Sequence, residues 1–390
     1  MSGDGTPMRK KRRVMRPVLV LVAFAILAFI VVFLIFGFGS SRIAGCFSQS
    51  VPEITVSEFN FEVGRDRMFA HMEGSVAAAG TLGVQVLDAG GRETLRDSFR
   101  MTQPAIAGTG DRCIAFDIGG SAVRVFSATQ VIAAIEKEGN VVSAAINQNG
   151  WFCVVTQDGG GLRGSVSVYN NSGAMVYRVN LGSGFILSAQ LSPDNNSLAV
   201  LNLTDYSSRI TFYHGIDTDK DPDAIFDLYD GLIIDIRYLP NGDILAFSTD
   251  SLLTVDRSGR GETLYTFPDK RLGGYAQNDD FIALHLYDHG IGHRGRIVSL
   301  LSDGTILGEM SFDREIVSMS SDGKTLVILK SDSLAFFSEE LEELPISDDN
   351  ISAAGSSRVL AVSEDAALAT SDNSAVVITI DPDSRIESGQ

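Results

Sequence analysis

The sequence predicts an all-β protein. It reads as a single β-propeller of seven or eight four-stranded blades, with eight the better count, preceded by one N-terminal transmembrane helix. Three observations carry this reading. An apolar stretch without a charge runs from Pro17 to Gly39. Beyond it, short apolar runs alternate with polar residues around Asn-, Asp- or Ser-Gly turns. Those turns recur with a period of about 42 residues, in two registers, which is the length of a propeller blade.

The elements follow in chain order. Residues 1–16 form a basic tail, with Arg9, Lys10, Lys11, Arg12, Arg13 and Arg16 against Asp4. Residues 17–39 span about 34 Å as a helix, enough to cross a hydrocarbon core of about 30 Å. The apolar core of a cleaved signal is shorter, so the segment reads as a retained anchor. Six cations precede it and only Arg42 follows closely, which places the N-terminus inside and the rest of the chain outside. The tail also suits contact with anionic lipid heads. "IAGC", Ile43 to Cys46, resembles a bacterial lipobox, but the long span and Arg42 favour a plain juxtamembrane cysteine over a lipidated Cys46. Residues 40–57 read as a stalk, 58–382 as the propeller and 383–390 as a short tail.

The propeller rests on the repeat. The phrase "RGSVSVYNNSGAMVYRV" (163–179) is two alternating runs around a turn, a β-hairpin signature. Its counterparts put turn glycines at Gly91, Gly173, Gly215, Gly259 and Gly304, spaced 82, 42, 44 and 45 apart, the first close to two periods. A second register runs through Gly150, Asn196, Gly242, Asp280 and Gly323. Inner strands are expected at "PAIAGT", "VVSAAI", "FILSAQL", "LIIDIRYL", "EIVSMS" and "NISAAG". Charged segments such as "GRETLRDSF" (91–99) and "EELEEL" (339–344) suit outer strands, whose free edges need protection.

This phrasing resembles the WD40-like and PQQ-like propeller superfamily. The layout of basic tail, single span and C-terminal propeller resembles a family of membrane-anchored Gram-positive bacterial proteins known only as a domain of unknown function. "AAGTLGVQVLDAGGRETL" (78–95) carries that resemblance most closely. The resemblance implies a fold and a location but no activity. The Trp-Asp dipeptide of WD40 blades is absent, and the single Trp151 departs from the Trp-rich blades of quinone-dependent dehydrogenases. No cofactor is expected.

Charge bounds the partners. The tail carries a surplus of +5, so the remainder carries −23 against the chain total of −18. Such a body is repelled by phosphate backbones, and nucleic acid is not an expected partner.

Four clusters are candidates for chemistry, each with a plainer reading. Cys113 and Cys153 sit in matching Gly-x-x-Cys contexts, 40 residues apart, on equivalent strands of adjacent blades. Strands of stacked sheets stand about 10 Å apart, beyond the reach of a disulfide, so both read as buried thiols. His285, His289 and His293, with Asp288, offer zinc-type donors, but the segment leaves a strand for a Gly-rich loop, and His285 reads as an ordinary strand residue. Asp217, Asp219, Asp221 and Asp223 alternate like the start of a calcium loop. Pro222 stands where such a loop needs Gly, and Leu228 where it needs Glu, so a solvated acidic loop is the simpler reading. Asp235 is the best inner-strand acid for a hydrolytic funnel, with an ion pair to Arg237 as the alternative.

No nucleophile motif or phosphate loop is present, and no catalytic or metal residue is assigned. The expected function is a non-catalytic, membrane-tethered extracytoplasmic scaffold that binds another envelope protein. The alternative is a glycan- or small-ligand-binding or hydrolytic propeller using acids of the central funnel.

Overall fold

The computed structural model describes residues 54–157, 164–216, 221–288, 295–331, 333–344, 355–371 and 375–380. These form thirty-one strands and no helix. The basic tail, the apolar segment 17–39 and Cys46 lie outside the described residues.

The strands make eight antiparallel sheets, seven of four strands and one of three. The first, β1 (Ile54–Phe59), belongs to the last blade. Blade 1 runs from β2 (Met68–Met72) through β3 (Ser75–Gly80) and β4 (Gly83–Asp88) to β5 (Glu93–Ser98). Each later blade repeats this order from its inner strand outward. The inner strands are β6 (Pro104–Thr109), β10 (Asn140–Ile146), β14 (Phe185–Leu191), β18 (Ile233–Tyr238), β22 (Lys270–Gln277), β26 (Ile316–Asp322) and β29 (Arg358–Ser363). Five of the sequence-derived inner strands coincide with these. The sixth expectation, 350–355, is corrected. All of it but Gly355 lies outside the described residues, and Arg358–Ser363 fills the role.

Blade 7 has three described strands, β26 to β28 (Leu334–Ser338). A fourth begins as the bridge between Phe337 and Glu343. Blade 8 closes the ring. Its inner three strands come from the C-terminal part, ending in β31 (Ala375–Ile380), and β1 pairs with β31 as the outermost strand. The ring thus starts at Ile54, inside the segment read as stalk, because Val56 and its neighbours pair with β31 from Ile54 onward.

Second and third strands are the most buried, as expected for sheets packed on both faces. Val154, Val155, Val166 and Val168 of blade 3 are all inaccessible. Apolar clusters bridge neighbouring blades. One joins Val200 and Leu198 of blade 4 to Cys153 and Val168 of blade 3. Another joins blade 8 to blade 1 through Leu368, Ala375 and Phe69. At about 25 cal/mol per Å² of apolar area, such interfaces are the main source of stability.

The antiparallel order gives the ring two unlike faces. Turns between strands 1 and 2 and between strands 3 and 4 of each blade lie on one, the turn face. Strand 2–3 hairpins and blade-to-blade connectors lie on the other, the connector face. Both repeat registers of the sequence are turn-face features. Gly91, Gly173, Gly215, Gly259 and Gly304 all take positive φ, 61° to 86°. Ile54 pairs with Ile380, so β1 begins and β31 ends on the turn face.

Candidate functional site

Five inner strands share one irregularity. A β-bulge after their first core residue inserts Val142, Leu187, Ile234, Gly273 or Val317. A bulge re-aims the residue that follows it. That residue is Ser143, Ser188, Gly274 and Ser318 in blades 3, 4, 6 and 7, but Asp235 in blade 5. Two residues on, Arg237 stands where the other blades carry Ala145, Gln190, Ala276 and Ser320. Blade 5 therefore places an ion pair in a ring of small and neutral residues.

The Arg237 Nη2 to Asp235 Oδ2 distance is 2.9 Å. The Tyr275 hydroxyl donates to the same carboxylate oxygen from blade 6. Tyr275 is itself stacked on Phe247, ring centroids 3.9 Å apart. The depth of the funnel disfavours the Arg237 charge, but Asp235 and then Tyr275 outweigh it and raise the pKa above the ordinary value. Burial, and next to it the Asp235 charge, push Tyr275 up, so its hydroxyl stays protonated and donates. The pair is lopsided. The guanidinium side chain is 47% exposed and the carboxylate side chain 19%.

Arg237 opens into a cavity of about 460 Å³ at the turn-face end of the funnel. Its walls come from blades 2 to 6 and include Gln190, Leu191, Tyr275, Gln277 and Asp279. Asn147 and Asn278 also line it, but their amides are committed to turns. Asn147 Nδ2 donates to Ser192 O and Asn195 Oδ1 of the next blade. Asn278 Nδ2 donates to Gly323 O. Gln190 and Gln277 make no side-chain hydrogen bond among the described residues. The ion pair of Asp235 with Arg237 was legible in the sequence as the alternative to a hydrolytic acid, but Tyr275 and the glutamines were missed as site residues. Aligning the bulged strands ("VVSAA", "ILSAQ", "IIDIR") is the signal that sets Asp235 and Arg237 apart from their counterparts in the other blades.

The remaining candidates separate cleanly. Asp235 takes the ion pair with Arg237, so its carboxylate is neutralised and not paired with a second acid. Cys113 and Cys153 lie on the second strands of blades 2 and 3, free and buried, and burial pushes both thiols up to about 12. His285 is a strand residue of β23 (Ile282–Asp288), and burial lowers its pKa, keeping it neutral. His289 and His293 lie outside the described residues, as do Asp217 and Asp219. The Asp223 carboxylate accepts the His214 backbone N–H at 2.6 Å, an ordinary turn contact. Among the described residues no group of three His, Cys, Asp or Glu side chains is placed to hold a metal.

The connector face carries a second feature, on blades 4 and 5. Tyr206, in the 204–207 hairpin, is 83% exposed, and Tyr229, in the connector that follows, 69%. Phe185, Leu232 and Ile234 are also exposed, at 43%, 40% and 44%. The register sets the blade 4 strand ends side by side: Phe185 pairs with Leu203 just before the hairpin, and Ser208 just after it pairs with Leu228. Asp205 and Asp230 flank the tyrosines, both exposed.

Solved structures similar to this chain include WD40 domains. The C-terminal WD40 domain of Sif2 superposes with a TM-score of 0.59 at 13% identity, covering 85% of this chain and 99% of its own. Sqt1 of Saccharomyces cerevisiae gives 0.56 at 11%, covering 86% and 100%. BamB of Moraxella catarrhalis gives 0.53 at 15%, covering 84% and 99%. At these identities the likeness is one of fold. No curated protein sequence matches the chain. A family model does match, over residues 54–341, most of the ring. The chain belongs to that family, described as a family of unknown function (DUF5711).

Proposed function

We propose that the protein is a non-catalytic scaffold, tethered to the membrane by residues 17–39, whose propeller stands on the extracytoplasmic side and docks another envelope protein on its connector face. The observation that carries this is the aromatic patch of blades 4 and 5. Tyrosine is enriched at binding hot spots because it offers a large rigid apolar surface with a polar tip. A patch with two tyrosines and three aliphatic or aromatic neighbours is a docking centre, and a propeller face has room for the roughly 800 Å² per partner of a standard interface.

Asp205 and Asp230 at the edge of the patch, within an acidic body, select the partner's chemistry. It presents an apolar anchor ringed by Lys or Arg. Nucleic acid, a polyanion, is excluded on the same ground. The tether reading rests on the uncharged 23-residue stretch and on the cations that precede it.

Two experiments test the proposal. A protease added outside intact protoplasts should remove a tag placed after Gln390; a protected tag would overturn the topology. Exchange of both Tyr206 and Tyr229 for Ala should abolish stoichiometric co-purification of a cation-ringed envelope protein while leaving thermal unfolding unchanged. Retention of the partner by that variant would overturn the docking face.

A further inference from the structure

A structural ion pair at the bottom of a channel has no need of asymmetry. In this one the carboxylate is tucked under the Tyr275 hydroxyl, while the guanidinium turns its open side to the cavity. Arginine carries five N–H donors in a planar fork that matches a carboxylate bidentately, and Asp235 occupies only part of that fork. The volume of about 460 Å³ suits a small molecule.

We propose that the funnel around Arg237 binds a small polyhydroxylated monocarboxylate, the chemistry of a sugar acid. Arg237 takes the carboxylate through its unused donors, held in orientation by Asp235 and Tyr275. Gln190 and Gln277, whose amides have no partner among the described residues, each offer a donor and an acceptor, the combination that hydroxyl groups require. Leu191, Ile146 and Pro240 supply apolar wall for the C–H faces of the ligand. Asp279 also lines the cavity and sets the charge limit. Arg237 is the one cation among the lining residues, against Asp235 beneath it and Asp279 in the wall, so the site takes at most a monoanion through the open side of the guanidinium, and a phosphate monoester with nearly two charges is repelled more strongly. This site is separate from the connector-face patch and does not depend on the scaffold proposal.

The single tryptophan makes the test direct. The Trp151 backbone N–H donates to Asn147 Oδ1, and Asn147 lines the cavity. The full-length chain is titrated with gluconate, glucuronate, glucose and inorganic phosphate, following Trp151 fluorescence, with ligand-observed NMR as a second readout. The expected result is saturable binding of at least one sugar acid, at least about tenfold tighter than glucose or phosphate, since the charge-assisted bidentate contact is missing from the first and penalised in the second. The D235N/R237Q double variant removes both charges with little change of shape and should lose that preference. Gln190→Ala and Gln277→Ala, which break no side-chain hydrogen bond among the described residues, should each weaken binding severalfold and serve as the test if the double variant fails to fold. No saturable response to either acid below about 10 mM by either readout, equal binding of glucose, tighter binding of phosphate, or glutamine variants that bind as the parent does would each overturn the proposal.

Discussion

The Tyr238 hydroxyl is buried between blades 4 and 5 and has no hydrogen-bond partner among the described residues. Burial raises its pKa, so it remains a neutral, unsatisfied group. An unmet buried hydroxyl costs about 1–3 kcal/mol relative to a satisfied one. Tyr238→Phe, which keeps the ring, is therefore expected to leave stability unchanged or raise it by up to about 1 kcal/mol in chemical denaturation; a loss would mean the hydroxyl has a partner. Asp227 is the opposite case. Arg209 donates to it side-on through Nε and Nη2, at 2.9 and 2.8 Å, and the Ser207 hydroxyl adds a third bond. The Arg209 bonds, against a smaller opposing effect of burial, lower the Asp227 pKa. A carboxylate with a depressed native pKa stabilises the fold fully above its unfolded value, near pH 4, and less as pH falls toward the native value. Asp227→Asn should cost about 1 kcal/mol at neutral pH, and the difference from the parent should shrink below about pH 4. A difference that stayed constant to pH 2 would show that charge is not its source. Neither residue announced itself in the sequence, because both effects depend on what a neighbouring strand brings alongside.

At the scale of the element, the turn glycines have two reasons to be glycine, and only one was legible. The positive φ of a tight turn follows from the hairpin phrase itself. The second reason is contact with the preceding blade. A Cβ on Gly173 would meet Ala133 at 2.7 Å, and one on Gly259 the Ile225 carbonyl oxygen at 2.7 Å, both on outer strands one blade back. Gly215 has nothing within 4 Å. Gly215→Ala should thus cost only the strain of the turn, about 1 kcal/mol, and Gly259→Ala at least about 2 kcal/mol, measured by denaturant unfolding of each. Equal costs would remove the inter-blade role. The inner strands were legible where a core residue, a bulge and a small residue recur, as in "VVSAA" and "ILSAQ". They were not where the pattern lapses. "MFAHM" (68–72) and "KRLGGYAQ" (270–277) carry no such phrase, and "NISAAG" carries a close imitation of it.

For the whole molecule, two registers of about 42 residues over the ring length narrowed the blade count to seven or eight, with eight the better, and the sheets number eight. The closing joint was half legible. The first and last repeat units are the most degenerate, which leaves separate blades and one shared closing blade both open, and nothing in the sequence states that Ile54–Phe59 pairs with Ala375–Ile380. That joint holds the ring. A chain beginning at residue 60 should melt more than about 10 °C below one beginning at residue 53, because loss of β1 uncovers β31 and opens the blade 8 interface. Similar melting points would mean that closure does not depend on β1. The funnel site was the least legible feature, since its cavity is built by five blades whose residues lie up to 170 positions apart, from Thr109 to Asp279.

We propose that the ring presents its connector face, at the Tyr206 and Tyr229 patch, to an envelope partner. The most direct test places a photo-crosslinking residue in living cells at Tyr206 and, separately, at Ser172 on the turn face. A discrete adduct with one envelope protein from position 206, absent from position 172, is the predicted result. No adduct at 206, or the same adducts from both positions, would contradict it.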